Sequence, residues 1–224
     1  MTLKEQLDQI NEAGFARMPK QIATILLDGI DEITTSDLKK NATKVGEKIN
    51  NATLIDINGD RKQISDFMQR DYLVLNFYRG GWCPYCNMEL RAYEQLITRF
   101  NDLNTSIVAI SAEIPDNNTR TFDKNNLSFP VLSDVDAKFM KSLGIVFTLN
   151  DDLKREYSNF GIDLKQFHGN LNFELPVPGV YVVNKNFEVV FKHLEENYMT
   201  RFEPTQLLNI LKEQTKQIVT IKEK

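Results

Sequence analysis

The chain has two cysteines in 224 residues, and both lie in Tyr78-Arg79-Gly80-Gly81-Trp82-Cys83-Pro84-Tyr85-Cys86. The run starts where an apolar segment, Tyr72 to Tyr78, ends, and stops where an amphipathic pattern begins at Pro84. That spacing puts a thiol pair at a helix N-terminus, where unpaired backbone N–H groups and the positive end of the helix dipole favour thiolate over thiol. The second sulfur is within one helical turn of the first, close enough to close a disulfide. The chemistry on offer is reversible: thiolate attack, a mixed disulfide or sulfenate, then internal resolution. Arg79 can add a cation and hydrogen bonds. Gly80 and Gly81 let the loop turn and let a substrate approach the backbone, and Trp82 makes an apolar lip beside the sulfur. A zinc site would have to recruit His168 and His193, which lack paired ligand spacing. Two inert, packed cysteines are the other alternative. No cofactor is expected.

Composition narrows the setting. With 42% apolar residues the chain can bury a sizeable core, as one domain with an extension or two small domains. A net charge of -4 gives no electrostatic case for nucleic acid or an anionic membrane. No run approaches the roughly 18 apolar residues of a membrane span. The polar, amphipathic stretch Met1 to Lys20 does not read as an export signal, so a cytoplasmic protein is expected. In that compartment a close cysteine pair points to catalysis or metal binding before a structural staple.

The elements that must position the pair can be read from periodicity. Residues 1 to 42 lack strand signals. Leu3, Leu7 and Ile10 share one helical face, and Ile22, Ile25, Leu26 and Ile30 another. Asp31 to Ser36 is expected to break the second pattern, with a short helical turn after it. This segment reads as an N-terminal helical extension, 1–42, ahead of a second unit, 43–224. Thr53 to Ile57 and Arg61 to Ile64 predict a hairpin on a two-residue Asn58-Gly59 turn. Tyr72 to Tyr78 is a strand buried on both faces. A helix is expected from Pro84 to about Leu103, with Pro tolerated in its first turn. A strand at Ser106–Ser111, a helix at Thr119–Lys124, a strand at Phe129–Leu132 and helices at Asp136–Leu143 and Leu153–Phe160 follow. A second hairpin joins Gly179–Val183 to Glu188–Lys192, and a helix from Pro204 to about Val219 closes the chain. This alternation argues for a mixed α/β sandwich with helices on both faces.

Phe77-Tyr-Arg-Gly-Gly-Trp-Cys-Pro-Tyr-Cys86 resembles the active-site run of the peroxiredoxin-like branch of the alkyl hydroperoxide reductase and thiol-specific antioxidant (AhpC/TSA) family. Phe129-Pro-Val-Leu-Ser-Asp134, Leu175-Pro-Val-Pro-Gly-Val-Tyr-Val-Val-Asn184 and Asn197-Tyr-Met-Thr-Arg-Phe-Glu-Pro204 are similar to later blocks of that family. The resemblance implies a thioredoxin-like fold, a central mixed sheet flanked by helices, with peroxiredoxin-type insertions over 43–224 and the helical extension ahead of it. It further implies a thiol-dependent peroxidase for hydrogen peroxide or organic hydroperoxides. The product would be a Cys83–Cys86 disulfide, re-reduced by a thioredoxin- or glutaredoxin-type partner, and the resemblance implies a homodimer. A protein thiol–disulfide oxidoreductase is the alternative, and a redox sensor a third class. In such folds a cis-proline faces the dithiol just before a strand, which nominates Pro178; a pair of strand-entry prolines is the other reading.

Two departures from the family pattern bear on which sulfur attacks. The family carries Pro-x-x-x-Thr/Ser-x-x-Cys, and here Arg79 replaces the Pro and Cys83 the Thr/Ser, leaving Cys86 in the peroxidatic place. The family's later Arg has no obvious counterpart in sequence, which leaves Arg201 or Arg79 to stand in for it in space. By helix position Cys83 is the nucleophile and Cys86 the resolver; by alignment the roles reverse, and the family context moves the expectation toward Cys86. Arg79, Trp82, Pro178 and Arg201 are the candidate substrate-binding residues. Tyr198 and Arg201 are weighed between bracing and pocket roles. Arg91 reads as a solvated helix charge, His168 and His193 as loop or edge histidines, and Glu195-Glu196 as exposed charge.

Overall fold

The computed structural model describes the backbone of residues 1–222 and the side chains of residues 1–214. The chain opens with α1 (Leu3–Phe15), α2 (Lys20–Thr35) and α3 (Leu38–Asn41). Strands β1 (Thr53–Asp56), β2 (Arg61–Gln63) and β3 (Tyr72–Phe77) lead into α4 (Pro84–Glu94) and α5 (Ile97–Asp102). Then come β4 (Thr105–Ser111), α6 (Pro115–Asn125), β5 (Val131–Ser133), α7 (Lys138–Ser142), β6 (Val146–Thr148), α8 (Asp151–Asn159) and α9 (Leu164–His168). The chain closes with β7 (Glu174–Pro176), β8 (Gly179–Asn184), β9 (Val189–Leu194) and α10 (Pro204–Lys222). Seven strands form one mixed sheet in the order β2-β1-β5-β4-β3-β8-β9, and β6 and β7 form a small antiparallel pair. β3 runs parallel to β4 and antiparallel to β8.

Every residue of β3 is buried, as a central strand covered on both faces must be. Its side chains alternate: Tyr72 and Val74 enter one core with Leu90, Tyr93 and Leu207, while Leu73, Leu75 and Phe77 enter the other with Phe139, Met140 and Tyr181. A third, smaller cluster joins Leu26 of α2 to Leu153 and Tyr157 of α8, with Trp82 packed against it. The strand that feeds the cysteine loop is therefore fixed from both sides, and the loop itself touches the third cluster.

Segment 1–42 is helical, and it packs into the body of the protein. Leu3 and Leu7 of α1 are buried in the core that holds Cys83 and Cys86. Gly29 lets α2 lie close on α8, because a Cβ there would come within 2.6 Å of Leu153 Cδ1. The expected break at Asp31 does not occur. α2 continues to Thr35 with Ile33 buried, and the Thr34 and Thr35 hydroxyls bond back to the Ile30 and Asp31 carbonyls, which suits β-branched polar residues to a helix end.

Other differences are local. The first hairpin turns through Ile57, Asn58 and Gly59, since the Asp56 N–H bonds the Asp60 carbonyl and the Asp56 carboxylate accepts from the Asn58 and Asp60 N–H groups. The long helix expected from Pro84 is two, broken at Gln95–Leu96 with no Pro or Gly at the break. β6, β7 and α9 were not expected from periodicity, being three to five residues long. The cis expectation at Pro178 is overturned: no cis peptide bond occurs among the described residues. The chain runs extended through the prolines, with Pro176 opposite Val146, the Val177 N–H on the Ile145 carbonyl and the Pro178 carbonyl accepting from the Glu195 N–H. This is the strand-entry role of proline. Among the described residues no helix is long and apolar enough to cross a membrane.

Leu7→Ala is expected to cost about 2–5 kcal/mol, the range for truncating a buried leucine. Urea unfolding should show that loss in one cooperative transition of the whole chain. An early transition confined to the N-terminal helices would contradict their place in the core.

Candidate active site

Cys83 is the N-cap residue of α4, and Pro84 takes the first helical position. The turn before it is held from two directions. Asn87 Nδ2 donates to the Gly81 and Cys83 carbonyls, both at 2.8 Å. The Gly81 N–H donates to Glu113 Oε2 at 2.8 Å. Gly80 and Gly81 are required by space: a Cβ on Gly80 (φ +154°) would lie 2.3 Å from Trp82 Nε1, and one on Gly81 would lie 2.0 Å from Thr121 Oγ1. Both thiols are free and buried.

The two sulfurs meet different surroundings. Cys83 lines a mainly apolar pocket of about 230 Å³ with Trp82, Pro84, Tyr85, Arg79 and Tyr198. Met18 and Leu26, from the end of the α1–α2 linker and from α2, and Tyr157, Phe160 and Ile162, from α8 and just beyond, complete the wall. Cys86 does not line this pocket; it sits behind Cys83 and receives a hydrogen bond from Arg201 Nη2 at 3.1 Å. Arg201 is fixed by Glu89 Oε2, 2.6 Å from its Nε, and by the Tyr198 and Thr200 carbonyls. Cys86 and Glu89 occupy successive turns of α4, so one helix carries both the thiol and the carboxylate that orients its cation.

Arg79 is 2% exposed and lies in a cage of aromatic rings, its guanidinium carbon 4.0 Å from the Tyr198 ring centre, 5.2 Å from Trp82 and 5.4 Å from Tyr157. It makes no carboxylate ion pair among the described residues. Burial alone would push the Cys83 thiol up. The hydrogen bond from Cys86, then the charges of Arg79 and Arg201, outweigh it and bring Cys83 down to about 6. Burial, together with the hydrogen bond and negative charge of Cys83, holds the Cys86 thiol well above its ordinary value. Cys83 is therefore the more acidic thiol of the pair. Burial pushes Glu89 up to about 7 against the pull of Arg201.

Of the residues singled out from sequence, Cys83, Cys86, Arg79, Trp82 and Arg201 come together. Pro178 is buried but does not line the cysteine pocket. Tyr198 and Arg201 take pocket and sulfur-facing positions, beyond bracing alone. Arg91 is exposed and bonds Asn125. His193 pairs with Glu195 and Lys39 with Glu196, so those two glutamates are half-buried and engaged, unlike the free surface charge expected. Among the described residues no three His, Cys, Asp or Glu side chains gather as metal ligands. Glu89, Asn87, Glu113, Met18, Leu26 and Tyr157 were missed. Glu113 had a usable signal: it lies just past the carboxyl end of a strand next to the one feeding the motif, where sites of parallel sheets collect.

The geometry agrees with what comparison finds. The model of the AhpC/TSA family matches residues 45–192. The chain is 27% identical over 109 residues to the thiol-disulfide oxidoreductase ResA of Bacillus thuringiensis subsp. konkukian (strain 97-27), covering 48% of this chain and 62% of that protein. It therefore spans less than two thirds of that relative's length. It is 26% identical over 124 residues to the peroxiredoxin Bcp of Bacillus subtilis (strain 168), covering 55% of this chain and 76% of that one. In fold it is similar to the peroxidoxin BcpB of Mycobacterium tuberculosis, with a TM-score of 0.61 at 19% identity over 76% of this chain and 97% of that one. A thioredoxin-like peroxiredoxin architecture and a family match over most of the chain lead to one statement of kinship: the protein belongs to the AhpC/TSA family.

Proposed function

We propose that the protein is an oxidoreductase that reduces hydroperoxides with Cys83 and resolves the product with Cys86. The observation that carries this reading is the placing of Cys83, a helix-capping thiol brought down to about 6, on a mainly apolar pocket beside a caged arginine. The Cys83 thiolate attacks the terminal peroxide oxygen, the O–O bond breaks, and the alcohol or water leaves with the peroxide's proton, giving a sulfenate on Cys83 that takes a proton from solvent to become the sulfenic acid. Cys86 then attacks the sulfenic sulfur, and a Cys83–Cys86 disulfide forms with loss of water. Arg79 holds the Cys83 charge, and Arg201 supplies positive charge to Cys86 as it gives up its proton. A dithiol donor of the thioredoxin or glutaredoxin type returns the pair to its reduced form.

Helix position and access thus outweigh the alignment that would give the first attack to Cys86, since a peroxide entering the pocket meets Cys83 first. The similarity to ResA supports a second reading, a reductant of protein disulfides. Against a protein disulfide as the first oxidant stands the pocket, which admits a small peroxide to Cys83, whereas at 1% exposure for Cys83 and 0% for Cys86 any protein partner, substrate or donor, needs the site to open.

Reduced protein mixed with hydrogen peroxide or cumene hydroperoxide should consume one equivalent and form the disulfide. Cys86→Ser should accumulate a dimedone-reactive sulfenic acid and Cys83→Ser should not. The reverse pattern would move the attack to Cys86, and fast insulin-disulfide reduction with slow peroxide consumption would favour the second reading. The thiolate should be present above about pH 6 and lost as pH falls below it. Arg79→Met should raise that midpoint and slow iodoacetamide alkylation of Cys83 at pH 7 by about tenfold, as follows from a rise of roughly two pH units. An unchanged midpoint would show that Arg79 does not stabilise the thiolate.

A further inference from the structure

Part of the wall around Cys83 comes from outside the region that matches the family model. That match begins at residue 45, whereas Met18 and Leu26 belong to the segment of the first two helices. With Trp82, Tyr157, Phe160 and Ile162 they give the cavity its apolar lining. Among the described residues that line it, Arg79 is the one cationic side chain and none is a carboxylate.

The wall has a fixed shape. Leu26 and Tyr157, each 5% exposed, share one buried cluster with Leu153, and Met18 and Trp82 pack against it. Two points on one face of α2 tie it to α8: Gly29 lies against Leu153, and Asn150, the N-cap residue of α8, donates to Glu32 Oε2 at 2.9 Å. The Trp82 and Tyr157 rings meet edge to face, their centres 5.7 Å apart. Phe160 is 45% exposed and Met18 half-buried, which puts both at the open side. Met18, an unbranched thioether, can fit itself to ligands of different outline. The cavity measures about 230 Å³. Hydrogen peroxide has two heavy atoms, and a water takes about 30 Å³ in the liquid, so that oxidant leaves most of the space unfilled. Each methylene moved from water onto such a wall strengthens binding about fourfold.

We infer that the N-terminal helices form a subsite for the organic group of the substrate, and that Met18 and Leu26 select hydroperoxides whose organic group is uncharged, apolar and compact, an aromatic or branched hydrocarbon. This rests on the peroxidase reading given above and names the substrate class for the same site. When Cys83 attacks the terminal oxygen of ROOH, the R group stays on the other oxygen and is left against the apolar wall. A cationic R group would meet Arg79 with no carboxylate in the lining to offset it. Specificity thus comes from a segment ahead of the part that carries the cysteines.

The quantity to measure is kcat/KM for cumene hydroperoxide divided by kcat/KM for hydrogen peroxide. Leu26→Ala should lower that ratio about tenfold and Met18→Ala several-fold, chiefly through KM for cumene hydroperoxide. Leu27→Ala, on the outer side of α2 where Leu27 is 48% exposed, should keep the wild-type ratio. An unchanged ratio in folded Leu26→Ala and Met18→Ala overturns the subsite. A second measurement needs no variant. In the reduced wild type, 2-phenyl-2-propanol, the alcohol left by cumene hydroperoxide, should slow iodoacetamide alkylation of Cys83 in proportion to its concentration, and glycerol should not. No protection, or equal protection by both alcohols, overturns the subsite while leaving the peroxidase reading in place. Reduced wild-type protein that consumes neither peroxide overturns that reading and this inference with it.

Discussion

Two guanidinium cations are buried beside two thiols, and water cannot neutralise them. Arg201 is balanced by Glu89, at 2.6 Å. Arg79 has aromatic faces around it and no carboxylate ion pair among the described residues. A buried charge must find an opposite charge or be paid for in stability, and the opposite charge within reach of Arg79 is a thiolate on Cys83. The low value of that thiol and the burial of that arginine are thus one constraint seen from two sides. The glycine turn, the N-cap position of Cys83 and the Asn87 clamp all serve to keep the sulfur where that balance holds.

The same constraint ties redox state to protonation. Closing a disulfide withdraws one negative charge from a volume that holds two cations and two glutamates. A fold with solvent at the sulfurs would let ions adjust. Here the sulfurs are closed over by side chains.

Much of this was legible in the sequence because it is local. The dense apolar run Tyr72–Tyr78 and the Pro after Cys83 sufficed to place the pair at a strand-to-helix turn, and both hairpins and the closing helix were readable from alternation and proline. What escaped is what depends on residues distant in sequence. Arg201 was nominated from the family resemblance, but its contact with Cys86 across 115 positions follows from no spacing rule. The short pair β6–β7 carries too few residues to show a period. Asp31–Ser36 reads as a helix breaker by composition, yet Ile33 is drawn into a core and the threonines bond backward. Pro178 was given a conformation borrowed from the fold in general, whereas the extended path from Pro176 into β8 settles it locally. Glu113 was passed over because nothing near it in sequence looks reactive.

Gly29 has a consequence for traffic through the protein. By letting α2 rest against Leu153, it joins the first helices and α8 into one slab, and that slab forms the roof over Cys83. A small solute can reach Cys83 through the pocket mouth, whereas the slab covers the sulfur against a macromolecule. Access to that sulfur is thus sorted by size.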